Sequence, residues 1–237
     1  MEITPLGDCA LLVRVRDRIA KVPSETLREV LAVLRRLEIA RVPGVIELAP
    51  AYTTVAVFFD PVRVVAAGAP PDAVFDWLAE RIRQGVEGVP EADGGVRTAR
   101  LVEIPVCYGG EFGPDLDEVA RHTGLTADEI VRRHHAVEYC VHGLGFTPGF
   151  PYLSGLSPEL AVPRRATPRT AVPAGTVAIG GAQTGIYPLR SPGGWRLIGR
   201  TPRTLFSVQQ EPPALLRPGD RVRFRPITRD EFERWIQ

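Results

Sequence analysis

His142-Gly-Leu-Gly-Phe-Thr-Pro-Gly-Phe-Pro-Tyr-Leu153 is the stretch at which the texture of the chain changes. From His142 onward, glycine and proline recur every few residues between short β-branched runs, the pattern of an all-β barrel with tight turns. Gly143 and Gly145 imitate the first two glycines of a dinucleotide-binding fingerprint. Pro148 then occupies the third glycine's place, and Phe150-Pro151 cannot open the helix that a pyrophosphate needs. Pro148 and Pro151 instead hold Thr147 and Phe150 extended, so the segment reads as a stiff loop presenting Phe150 and Tyr152. Downstream, Pro173-Ala-Gly175 and Pro218-Gly-Asp220 mark turns, the second with glycine where a type II turn needs positive φ.

Upstream of this region the periodicity is helical as often as extended. Leu101 to Val106 reads as a strand, followed by one helix begun at Pro114-Asp115 and closed at Gly124. A second is opened by the capping box Thr126-Ala-Asp-Glu129. Val86 to Ala99, with Pro90 and the Gly94-Gly95 pair among acids and small residues, has the composition of a linker. Before it, strands at Ile3 to Leu6, Ala10 to Val15, Val45 to Leu48 and Thr53 to Phe59 alternate with two helices. One runs from Ser24 to Leu37, and the other is opened by Pro70-Pro71-Asp72 with Val74, Phe75, Leu78 and Ile82 on its apolar face. This order predicts a ferredoxin-like α/β sandwich over residues 1–88 and a β-barrel domain over residues 99–237, an α+β protein as a whole.

Composition narrows the function. The 237 residues are 44% hydrophobic and 24% charged with a net charge of +1, an ordinary globular balance without the basic face that nucleic acid requires. No apolar run is long enough for a membrane span, and the N-terminus lacks a positive region followed by an apolar core, so the expected address is the cytoplasm. Lys21 is the single lysine, hence no Gly-Lys-Ser/Thr loop is present and any ATP used is not held by a P-loop of this chain. Cys9, Cys107 and Cys140 are too few and too scattered for a disulfide framework.

Candidate chemistry gathers in the barrel region. His134, His135, Cys140 and His142 match no zinc spacing, so no metal is expected, and nothing nearby activates the Cys140 thiol. Between Tyr139 and Arg203 the only carboxylate is Glu159, against Arg164, Arg165, Arg169, Arg190, Arg196, Arg200 and Arg203. That excess argues against paired-carboxylate catalysis and for an anionic ligand or partner. Arg169, Gln183, Thr184 and Tyr187 are the proposed substrate-binding residues. Arg169 sits between prolines that restrict its backbone, Gln183 offers a donor and an acceptor, and Thr184 and Tyr187 add hydroxyls. Turn-stabilising roles for all four remain open. Phe150, Tyr152 and Trp195 are proposed as an exposed partner or pocket surface.

Gly145-Phe-Thr-Pro-Gly-Phe-Pro-Tyr-Leu153, Pro168-Arg-Thr-Ala-Val-Pro-Ala-Gly175, Ala178-Ile-Gly-Gly-Ala-Gln-Thr-Gly-Ile-Tyr-Pro188 and Ser191-Pro-Gly-Gly-Trp-Arg-Leu-Ile-Gly-Arg-Thr-Pro202 closely resemble the KipI family, also called allophanate hydrolase subunit 1 or the 5-oxoprolinase B subunit. With the Gly7-Asp8 opening, the resemblance covers nearly the whole chain. It implies a C-terminal cyclophilin-like barrel, a KipA-type partner (the 5-oxoprolinase C subunit) and a third partner (the 5-oxoprolinase A subunit). Together these would open 5-oxo-L-proline to glutamate with ATP, the chain being inactive alone. The resemblance also implies two alternatives, inhibition of a sensor histidine kinase and the carboxyltransferase part of a biotin-dependent urea or allophanate pathway. Ala182 and His142 depart from the pattern, standing where asparagine and an apolar residue are expected.

Overall fold

A computed structural model describes residues 1–19, 23–90 and 99–235. The chain forms two compact units, Met1–Thr98 and Ala99–Gln237.

In the first unit, β1 (Glu2–Pro5), β2 (Ala10–Arg14), β3 (Val45–Ala51) and β4 (Thr54–Phe59) make one antiparallel sheet in the order β1-β2-β4-β3. Alternation sends Leu11 and Val13 of β2, and Val55, Val57 and Phe59 of β4, into one core. There they meet Val30 and Leu37 of α1 (Pro23–Ala40) and Leu78, Ile82 and Val86 of α3 (Val74–Gly88). Between sheet and α3 lies α2 (Pro61–Ala66). Its first turn is capped by Asp60, whose carboxylate accepts from the Val62 and Arg63 N–H groups, with Pro61 at the first helical position. The expected two-layer composition is present, but the connectivity is ββαββαα, whereas a ferredoxin-like sandwich runs βαββαβ. The start of the 86–99 linker belongs to the last turn of α3, and residues 91–98 lie outside the described residues.

The second unit opens with β5 (Leu101–Tyr108), α4 (Leu116–Thr123), α5 (Ala127–His135), β6 (Glu138–Leu144) and β7 (Pro151–Ser154). It continues through β8 (Arg169–Val172), β9 (Thr176–Gly180), β10 (Gln183–Ile186), β11 (Ser191–Gly193) and β12 (Arg196–Arg200). β13 (Arg221–Pro226) and α6 (Arg229–Trp235) complete it. Seven strands close into a barrel in the order β10-β7-β6-β13-β5-β12-β9, while β8 and β11 pair as a separate ribbon. Gly124 ends α4 in the left-handed conformation, and the Thr126 hydroxyl caps α5 by accepting from the Glu129 N–H.

The barrel strands pack two clusters. Ile104, Val141, Leu153, Ile179, Ile186 and Phe224 fill one, joined by Val119 of α4 and Ile130 of α5. Ala178 of β9 and Leu197 of β12, alternating to the other side, face a second cluster of Phe150, Val172, Tyr187 and Trp195. No helix among the described residues is long and apolar enough to cross a membrane.

Candidate functional site

The aromatic cluster encloses the candidate site. Phe150 is its hub, with ring centroids 5.0 Å from Tyr152, 5.2 Å from Tyr187 and 5.5 Å from Trp195, all edge-to-face. Three glycines seat these rings against backbone. A Cβ at Gly193 would stand 2.3 Å from the Tyr187 hydroxyl, one at Gly180 2.5 Å from the Trp195 indole, and one at Gly185 2.9 Å from Phe150. Beside the rings opens a cavity of about 270 Å³, floored by Phe150, Tyr187 and Trp195 and edged by Tyr152, Gly193 and Gly194. Phe146 stands at its mouth, 61% exposed and held at φ 68, a conformation a phenylalanine rarely adopts. Phe150, Tyr152 and Trp195, expected as an exposed partner or pocket surface, all line this cavity, with two of the three rings recessed from the protein surface. Phe150 is only 2% and Trp195 5% exposed, because the chain's own glycine-rich strands cover them.

Charge is concentrated on one side of the cavity. Arg164 lies over the Trp195 ring, 5.5 Å from its centroid, and Arg165 lines the same wall. Behind them stands Asp115, 3% exposed. It accepts a two-pronged bond from the Arg169 guanidinium at 2.6 and 2.9 Å and a third bond from the Leu197 backbone N–H at 2.8 Å. Glu118 on α4 pairs with the buried Arg196 at 2.6 Å. Burial pushes the Tyr187 hydroxyl above the usual tyrosine range, against a Trp195 backbone hydrogen bond and the Arg164 charge that pull it down. Tyr187 is consequently a neutral hydroxyl at neutral pH.

The four proposed substrate residues separate. Tyr187 lines the cavity, whereas Arg169 is committed to Asp115. Gln183 is half-buried opposite Gly180 at the start of β10 and is not part of the cavity lining. Thr184 is fully buried within a polar chain on the barrel's other face. Its hydroxyl donates to the Ala178 carbonyl at 2.9 Å, so it accepts from His134 Nε2–H at 2.9 Å. That leaves His134 Nδ1 to accept from the Tyr108 hydroxyl at 2.8 Å. Burial lowers the His134 pKa from the usual 6.5 to about 3, with His135 adding to the effect.

Among the residues of metal-ligand type, His134 thus spends both ring nitrogens inside the chain. His142 is buried on β6 and lowered by burial, and burial pushes the Cys140 thiol up. Among the described residues no three His, Cys, Asp or Glu side chains gather closely enough to hold a metal ion. In the sequence Asp115 shows only as a helix start, Phe146 carries no local signal that sets it apart, and Arg164 and Arg165 contribute only to the local excess of arginine.

Comparison with known proteins adds what geometry alone does not supply. Residues 1–216 match the family described as carboxyltransferase domain, subdomain C and D. The 5-oxoprolinase B subunit of Bacillus subtilis (strain 168) is 41% identical over 236 residues, 98% of this chain and 95% of the relative. The crystal structure of TTHA0988 is 38% identical with a TM-score of 0.76. The match covers 92% of this chain but only 40% of the longer solved one. The Kluyveromyces lactis urea amidolyase, at 20% identity and a TM-score of 0.71 over 98% of this chain and 15% of that one, shares the fold. By these matches the chain belongs to the carboxyltransferase subdomain C and D family, in the group that contains the B subunits of 5-oxoprolinase.

Proposed function

We propose that the chain is the B-type subunit of a cytoplasmic, ATP-dependent 5-oxoprolinase that opens the lactam of 5-oxo-L-proline to L-glutamate. It would act with two others, a KipA-type subunit plus a third. The observation that carries this reading is the near full-length match to a 5-oxoprolinase B subunit, 98% of this chain against 95% of the relative. The chain's single lysine, Lys21, lies in no Gly-Lys-Ser/Thr motif, which supports ATP being held elsewhere in the complex. On this reading the cyclophilin-like barrel contributes its aromatic cavity as a ligand site, with Tyr187 touching the ligand. Arg169 and Thr184 would fix the surrounding strands, and Gln183, outside the cavity lining, would act from the start of β10.

The test is co-expression with the two partner subunits and measurement of ATP-dependent glutamate release from 5-oxo-L-proline. The complex should turn over, and omitting any one of the three chains should abolish turnover. Glutamate formed by this chain alone, above a Trp195→Ala control, would sink its assignment to a multi-chain enzyme. The family description favours a second reading, transfer of a carboxyl group within a biotin-dependent complex. Carboxylation of urea by a complex that leaves oxoproline untouched would favour it.

A further inference from the structure

We infer that Arg164 and Arg165, not Arg169, receive the anionic group of the cavity's ligand, and that this ligand is a free, small organic carboxylate with a compact uncharged body. The inference rests on the reading of the aromatic cavity as the ligand site.

Four guanidiniums, Arg164, Arg165, Arg169 and Arg196, crowd this side of the barrel against two carboxylates, Asp115 and Glu118. The carboxylates are already allotted. Asp115 is taken by Arg169 and the Leu197 N–H, and Glu118 by Arg196. Arg165 reaches both only through long ion pairs, at 3.6 and 3.7 Å and beyond hydrogen-bond length, and its buried Nε makes no hydrogen bond among the described residues. Arg164 has the Trp195 face and, among the described residues, no carboxylate within ion-pair range. Four guanidiniums therefore share two carboxylates, leaving a net positive excess at an aromatic wall; an arriving anion can recruit Arg164 without breaking an ion pair and Arg165 at the cost of two long ones.

The arginines exclude the cationic ligand that an aromatic cage otherwise favours. At about 270 Å³ the cavity lies just below the about 300–1,000 Å³ of pockets that take drug-sized molecules, so the body attached to the anion is small. Phe150, Tyr187 and Trp195 require that body to be largely uncharged.

The experiment is calorimetric titration of the full chain with 5-oxo-L-proline, with its carboxamide, and with acetate. The acid should bind at least about tenfold more tightly than the carboxamide, the discrimination expected of a charge-assisted fork. It should also bind more tightly than acetate, which lacks the body. Arg164→Gln combined with Arg165→Gln should bring the acid-to-amide ratio close to one. Arg164→Gln alone, at an exposed position, should lower it without changing the melting temperature. Equal binding of acid and amide, a ratio that survives the double substitution, acetate binding as tightly as the ring acid, or no binding of the acid would each overturn the assignment. Discriminating binding by a chain whose reconstituted complex releases no glutamate would instead defeat the oxoprolinase reading and leave this one intact.

Discussion

Strand parity decides the fate of individual residues in this barrel. Thr184 pairs with Ile179 and Gly185 with Ala178, so Thr184 faces the interior while Gly185 seats Phe150 on the opposite side. Interior placement gives Thr184 its partner, His134, and gives His134 a pH signature. The fold keeps His134 neutral down to about pH 3, whereas the unfolded chain protonates it near 6.5. A depressed histidine pKa stabilises the fold at high pH. The contribution is complete above about pH 6.5 and is lost as pH falls towards about 3, at ~1.4 kcal/mol per pH unit. Denaturant unfolding from neutral pH down to about pH 4 should show that slope. His134→Gln, which keeps a donor for Thr184 and an acceptor for Tyr108, should flatten it by one proton, and an unchanged slope would remove His134 as its source. On the cavity face, Gly193→Ala would drive a methyl to 2.3 Å from the Tyr187 hydroxyl. A cost of about 1–3 kcal/mol and an altered near-ultraviolet aromatic spectrum are expected. A variant with the native spectrum and stability would show that the ring is not seated there. The same parity was available in the sequence, because any strand through residues 183–187 must set Thr184 and Tyr187 on opposite sides. What residue types alone concealed was the partner of Arg169, whose guanidinium forks onto Asp115.

At the scale of elements, Asp115 binds three pieces of the second unit that are far apart in sequence. It precedes α4, grips Arg169 on β8 and caps the Leu197 N–H on β12. Its carboxylate makes no capping bond to α4 itself, so its removal acts through β8 and β12 and not through helix initiation. Asp115→Ala should cost about 2–4 kcal/mol in urea unfolding, below the full figure for a broken buried pair because the Arg169 side chain is one quarter exposed. Asp115→Asn, which still offers an acceptor to Leu197, should cost less. Equal losses would mean that the acceptor kept by asparagine contributes nothing and that the charge carries the whole effect. Local chemistry had marked α4 and α5, through Gly124 and the Thr126 capping box, because a cap is a contact between residues at most a few positions apart. The signal for α2 was also present in Asp60-Pro61, a cap followed by proline at the first helical position, but its short apolar face offers little period to count. Strand pairing was not legible. β13 runs parallel to β5, matching Arg221 with Leu101, and no local pattern encodes a register across that separation. The first unit shows the same limit. Its strands and helices were readable, yet the sheet order β1-β2-β4-β3 depends on contacts between distant segments.

For the molecule as a whole, the distribution of cores bears on how it can be divided. One buried cluster draws every member from residues between Leu11 and Val86. The other three draw theirs from residues between Ile104 and Phe232. Among the described residues each of these clusters lies within a single unit, so each unit has a core of its own. The second unit also closes its barrel with its own strands, which leaves the barrel without an open edge. Its cavity is likewise built only from residues between Phe146 and Trp195. A fragment of residues 99–237 is therefore expected to fold cooperatively by itself, with a single denaturant transition. It should keep the aromatic near-ultraviolet signal and discriminate 5-oxo-L-proline from its carboxamide as the full chain does. The fragment of residues 1–90 should fold separately and show no such discrimination. Two outcomes would count against this division. If the larger fragment is unfolded, packing between the units supplies stability that the separate cores lack. If it is folded but blind to the carboxylate while the full chain is not, the first unit completes the site, and the cavity as described is only part of it.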